Sequence, residues 1–331
     1  MGRGRKVKMG RRQTLKIGRR QKRRWRKVEK GRRIKNGPKD IQERHDLLMA
    51  KYIETRSKSE GFDVSPAPFS LNPLTAHHCG HGYCDSCCEF ALLYARMGLH
   101  RYSLLQGKKL QLSSIKKYNK TACTHIDSYY ITLEAEDPVI PGSLLTFQTK
   151  VSERRYRKFD LKCTVARLLG EKTKETIEAK KSSLPNVPEL PQEDPFVEDG
   201  TNRFYNCHYY LLIFKFQLKD SELEDNDWIR LYLELAVATT NRKYGRHHES
   251  LAVLKILEVA IESTQGLGDY DAVFYIRYDD SCEARVGKDI HRVAIVRRFF
   301  DKQSEVLYLL GHNQSINKTA AIEAGSSSAQ D

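Results

Sequence analysis

Two runs of the chain alternate apolar and polar residues in the manner of half-buried strands, Tyr129-Tyr130-Ile131-Thr132-Leu133-Glu134-Ala135 and Phe147-Gln148-Thr149-Lys150-Val151. Asp137-Pro138 and Pro141-Gly142 punctuate the hairpin between them. Upstream, Tyr83, Cys87, Phe90, Ala91, Tyr94 and Ala95 recur at helical spacing, which predicts a helix from about 83 to 95 or a few residues further, weakened or ended by Gly98. Leu110-Gln111-Leu112 with Ile115, and Phe159 to Val165, add two more alternating segments. The pattern predicts one helix lying across an antiparallel sheet, in the α+β class.

The same order returns near the C-terminus. Asp225-Asn226-Asp227 offers a helix start, and Trp228, Leu231, Leu235, Ala236 and Thr239 give the helix an apolar face. Strand-like runs follow at Leu251–Ile261, Val273–Tyr278, Val293–Val296 and Val306–Leu310. Setting Phe90-Ala91 over Leu235-Ala236 brings Tyr129-Tyr130-Ile131 over Phe274-Tyr275-Ile276 without a gap, so a unit used twice is expected. The boundaries read as a tail at 1–39, a helical and loop arm at 40–76, one module at 77–169, a Pro-punctuated linker at 170–202, a second module at 203–312 and a tail at 313–331.

Charge changes the picture only at the start. Residues 1–40 hold 19 of the 57 Lys and Arg residues and two of the 42 acids, a net +17 within a chain of +15, so everything after residue 40 is nearly neutral. Such a segment repels itself and offers little apolar surface to bury, which predicts disorder. Within it Arg19, Arg20, Lys22, Arg23, Arg24, Arg26 and Lys27 form a basic cluster suited to nuclear import or to RNA contact; a plain solvated extension is the alternative. The eight cysteines, without an apolar leader, predict free thiols in an intracellular compartment, nucleus ahead of cytoplasm. No apolar run approaches the length of a membrane helix, so no membrane partner is expected.

One stretch raises metal chemistry. Cys84 and Cys87 form a C-x-x-C, with His78 and His81 nearby as candidate completing ligands. Structural zinc sites draw ligand pairs from separate knuckles, and no second pair follows, so buried thiols are the favoured reading and no metal or other cofactor is expected. No grouping of nucleophile, base and orienting residue can be assembled, so the chain is not expected to be an enzyme. His100, His125, His208 and His291 are read as surface or satisfied core histidines.

Glu89-Phe90-Ala91 and Tyr130-Ile131-Thr132-Leu133-Glu134-Ala135 resemble the plant cystatins, whose fold is a helix wrapped by an antiparallel sheet. Together with Leu104-Leu105-Gln106-Gly107 and Lys117-Tyr118-Asn119, these residues also look like a plant family with cystatin-related domains, some members of which are named for embryo arrest. The resemblance covers about residues 60–312. It implies two tandem cystatin-like modules, each a helix on a curved antiparallel sheet. Cystatins block proteases with a Gln-x-Val-x-Gly hairpin and a Pro-Trp hairpin. Here the corresponding places read Tyr118 to Cys123 and Ser152-Glu153-Arg154-Arg155, and Gln265-Gly266-Leu267-Gly268 comes nearer but is one residue short. The expected function is therefore a noncatalytic interaction scaffold with an unidentified protein partner. Cysteine-protease inhibition and nucleic-acid association through the tail are the alternatives.

Overall fold

The structure is a computed structural model that describes residues 38–64, 74–79, 88–121, 126–140, 142–171, 190, 214–217, 220–241 and 250–316. The chain divides into two compact units, Met1–Leu71 and Asn72–Asp331. In the first, α1 (Pro38–Lys58) carries a Glu54–Lys58 pair one turn apart. It ends where Glu60 takes a left-handed conformation (φ 54) and the Gly61 amide donates back to the Arg56 carbonyl.

The second unit holds one antiparallel sheet of ten strands: β1 (Leu74–His78), β2 (Gln111–Thr121), β3 (Ser128–Glu136), β4 (Leu144–Glu153), β5 (Phe159–Leu168), β6 (Phe214–Gln217), β7 (Leu254–Ser263), β8 (Asp271–Asp280), β9 (His291–Asp301) and β10 (Val306–Ser315). Its spatial order is β1-β2-β3-β4-β5-β10-β9-β8-β7-β6, which reads the same inward from either edge. Helix α2 (Glu89–Gln106) precedes β2, and α4 (Trp228–Thr240) precedes β7; a short α3 (Asp220–Glu224) leads into α4, and α5 (Glu283–Val286) lies between β8 and β9. The halves meet where β5 and β10 pair, Leu161 opposite Leu309 and Cys163 opposite Leu307. Gly311 in β10 is glycine because a Cβ there would overlap the Ile295 carbonyl oxygen on β9.

Alternation explains the burial. Tyr129, Ile131, Leu133 and Ala135 of β3, with Ala272, Phe274, Ile276 and Tyr278 of β8, point to the helix side and belong to one apolar core running through both halves. On the opposite face Ala260, Val273, Tyr275, Val293 and Ile295 form a smaller cluster, against which Leu190 and Ile316 pack.

The first helix differs from its expected bounds. It starts at Glu89, after Cys88 in an extended conformation, and continues through Gly98 to a left-handed Gly107 (φ 68) whose amide donates to the Ser103 carbonyl. Gly98 does not end the helix because it lies against the sheet: a Cβ there would collide with the Thr149 side chain. The expected ungapped correspondence of the two halves is also corrected. Tyr94 meets Tyr129 edge to face at 5.0 Å, as Tyr232 meets Phe274 at 5.3 Å, and Phe90–Tyr94 matches Trp228–Tyr232. Helix and strand are thus 35 residues apart in one half and 42 in the other. The difference of seven is close to two helical turns, which preserves the apolar face and made the ungapped alignment look sound.

Candidate functional site

Arg96, Leu99, His100, Ser103 and Leu104 of α2 follow one another at steps of three, one, three and one, a single helical stripe. This stripe lines a cavity of about 770 Å³ whose other walls come from the entry to β2, the start of α4, the β7–β8 turn and Arg298 of β9. The sequence reading found the neighbouring apolar stripe, which seats α2 on the sheet. It passed over this one because arginine, histidine and serine read as surface positions.

The two helices are clasped beside the cavity. Arg96 donates to Glu234 at 2.5 Å, and Arg230, one turn before Glu234, donates to the same carboxylate at 3.0 Å. His100 places Nε2 2.8 Å from the Tyr232 hydroxyl and stacks on the Trp228 ring at 5.2 Å. Burial, aided by the Arg298 charge, pushes the His100 pKa down to about 3, so the imidazole is neutral. Burial likewise pushes the Tyr232 phenol up to about 12, against the opposing pull of Arg298.

Arg298 is 1% exposed. Its guanidinium lies over the rings of Trp228 and Phe274, at 5.0 and 5.1 Å from their centroids. Nη2 donates to the backbone carbonyls of Leu267, at 2.6 Å, and Asp269. Nε is buried without a hydrogen-bond partner. The Asp269 carboxylate turns the other way, accepting from the Thr264 amide and hydroxyl and from the Gln265 amide. Burial alone would raise that carboxyl, but these bonds outweigh it and hold it below its usual range. Among the described residues no carboxylate forms an ion pair with Arg298. The cavity therefore has a binder's equipment: a buried cation that no described carboxylate pairs, the Trp228 indole face and six leucines among polar side chains. Its one imidazole is held neutral, with Nε2 engaged by a phenol.

Of the histidines singled out from sequence, His100 lines the cavity. Arg19, Arg20, Lys22, Arg23, Arg24, Arg26 and Lys27 are outside the described residues, as are His81, Cys84, Cys87, His125 and His208. His78 ends β1, opposite Lys117. No group of three or more metal-ligating side chains occurs among the described residues. Cys88 stands at the N-cap of α2 and is half-buried with a free thiol, whereas Cys79 is disulfide-bonded, which corrects the expectation of free thiols throughout. That expectation came from an inferred reducing compartment. His291 is exposed and bonds Asp279 at 2.7 Å. No helix among the described residues is long and apolar enough to cross a membrane.

The hairpins differ in how they present themselves. Arg154 and Arg155, at the β4–β5 turn, both fold onto Asp160. The β7–β8 turn is drawn inward by Arg298, and Leu267 packs on the core. The β3–β4 turn instead points aliphatic side chains outward, Val139 at 84% and Ile140 at 58% exposure, beside Leu144 and Leu169 at 54% and 58%.

The UPF0725 protein EMB2204 of Arabidopsis thaliana is 35% identical to this chain over 77% of each sequence. The chain belongs to the UPF0725 family. Another UPF0725 protein of Arabidopsis thaliana is 44% identical over 53% of this chain and 92% of its own length. The profile of the family described as Protein MS5 matches residues 187–309, which include α4 and strands β6 to β9. The crystal structure of MS5 from Brassica napus is similar to this fold with a TM-score of 0.52 and 30% identity, over 70% of this chain and all of that one. UPF0725 is thus a plant family delimited by sequence and fold, and its name specifies no reaction.

Proposed function

We propose that this UPF0725 protein is a noncatalytic interaction scaffold made of two cystatin-like modules joined edge to edge. The repeated unit is supported by the mirrored strand order and by the matched ring contacts of the two helices. A β-bulge also recurs: the register slips between Ile115 and Lys117 opposite Leu133 and Thr132, and between Ile256 and Glu258 opposite Tyr278 and Arg277.

The observation that carries the interaction reading is the β3–β4 turn. Its backbone is held in place: the Val139 amide donates to Asp137 Oδ1 at 2.9 Å, the Gly142 amide to Glu136 Oε1 at 3.1 Å, and the Ser143 amide to the Ile140 carbonyl. An ordered turn that spends its polar groups on itself and aims valine and isoleucine at solvent is built to be covered. Little conformational freedom remains to be lost when a protein partner covers it. Importin or RNA contact is left to the basic tail.

The test is affinity purification from plant tissue with the full chain and with a Val139→Asp/Ile140→Asp variant. A partner recovered in stoichiometric amount with the parent and lost with the variant, at unchanged circular dichroism and Tm, is the expected result. A partner set indifferent to the two aspartates removes the turn as the contact surface.

A further inference from the structure

We propose that the cavity between α2 and α4 binds a small organic monoanion with an apolar body, its acidic group received by Arg298. Three observations converge on that class. The volume, about 770 Å³, lies within the range of small-molecule sites. Six leucines, from both helices, the entry to β2 and the β7–β8 turn, together with the Trp228 indole as a flat face, give a ligand's body apolar contact among the polar side chains of the lining. The polar element is a buried guanidinium whose charge no described carboxylate balances and whose Nε has no partner.

A buried cation in that state is costly unless a counter-charge arrives. The other cations near the cavity are already engaged. Arg96 is committed to Glu234, and Lys109 donates to the Asp225 carbonyl at 3.1 Å. Arg101, also buried and without a carboxylate, bonds through Nε to the Glu305 carbonyl and does not line the cavity. Asp225 and Asp227 on the lining would repel a second negative group. That selects a single carboxylate or sulfonate on an aromatic or branched body over a polyphosphate. The inference does not depend on the docking reading of the β3–β4 turn.

The probes are 8-anilinonaphthalene-1-sulfonate and N-phenyl-1-naphthylamine, which share a ring system but differ in the sulfonate. The full-length protein is expected to bind the sulfonate saturably at one site, and at least about tenfold more tightly than the neutral amine, the ratio that one charge-assisted hydrogen bond supplies. Arg298→Gln should abolish that preference, lowering the affinity for the sulfonate to that for the neutral amine. Because Arg298 also ties the β7–β8 turn, a second variant keeps it: Ser103→Trp fills the cavity and should remove binding of both probes. Absence of saturable sulfonate binding overturns the proposal. So does a folded Arg298→Gln protein that binds the sulfonate as tightly as the parent, or binding undiminished by Ser103→Trp, the result expected if the dye sits on the exposed β3–β4 turn.

Discussion

The turn from β3 to β4 and the turn from β8 to β9 hold the same place in the two halves of the sheet, yet they solve their polar accounting in opposite ways. In the first half the backbone is satisfied by Asp137 and Glu136, and the aliphatic side chains face out. In the second, charge goes in. Asp280 and Arg285, with side chains 1% and 3% exposed, form a two-pronged pair at 2.6 and 2.8 Å, and Asp280 also accepts from the Cys282 amide. A frame repeated on both sides of one seam therefore carries two different loops. Chemistry in this fold is to be sought in the turns and at the seam between the helices.

The most damaging way to break the comparison is to remove the inward charge. Asp280→Asn leaves the Arg285 guanidinium buried beside a neutral amide and should cost about 3–5 kcal/mol in urea unfolding. Asp137→Asn in the first half, where the oxygen is exposed, should stay within about 1 kcal/mol. Similar losses at the two positions would mean that the turns are built alike.

A smaller effect separates the seats of the two helices. Replacing a mid-helix glycine with alanine ordinarily stabilises by about 1 kcal/mol. At Gly98 the sign should reverse, to a loss of about 2 kcal/mol, because the new methyl meets the buried Thr149 side chain. Ala236 takes the matching place in α4 and is itself fully buried, so that helix stands far enough from its strands to carry a methyl. In a Thr149→Gly background, Gly98→Ala should cost nothing further, and a cycle with no coupling between the two sites would refute the close approach.

These seats show how far the sequence could be read. Strands β3, β4 and β8 announced themselves through alternation and β9 through the apolar run Val293–Val296, because each buries at least one face against a helix. The turn between β3 and β4 announced itself through Asp137-Pro138 and Pro141-Gly142. The seam did not. Pairing of β5 with β10 joins residues about 150 positions apart, and nothing local specifies it. Gly98 read as a helix breaker because its reason for being glycine, Thr149, lies on a strand 51 residues later. The cavity was hidden for the same reason: Arg96, His100 and Ser103 turn inward only because α4 stands opposite them.

His100 gives the gentlest test, since it belongs to the contact between the halves and to neither alone. Its folded pKa of about 3 lies below the ordinary histidine value near 6.5, so the unfolded chain binds the proton more readily between those limits. Its contribution to stability is complete above about pH 6.5 and is lost as pH falls toward 3, with a slope of about 1.4 kcal/mol per pH unit. His77 and His312, also lowered by burial, add to the fall with the same sign; Glu89, raised by burial, opposes it, and the other carboxylates join below about pH 4.5. The window from pH 6.5 to 5 therefore avoids most carboxylates, and the difference between the parent and His100→Gln isolates that one histidine. Urea midpoints measured across it should give a curve flatter than the parent's by about 1.4 kcal/mol per pH unit. Parallel curves would mean that His100 reaches solvent and protonates in the folded protein, and the two helices would then not enclose it as the stacked Trp228 ring and the Tyr232 hydroxyl require.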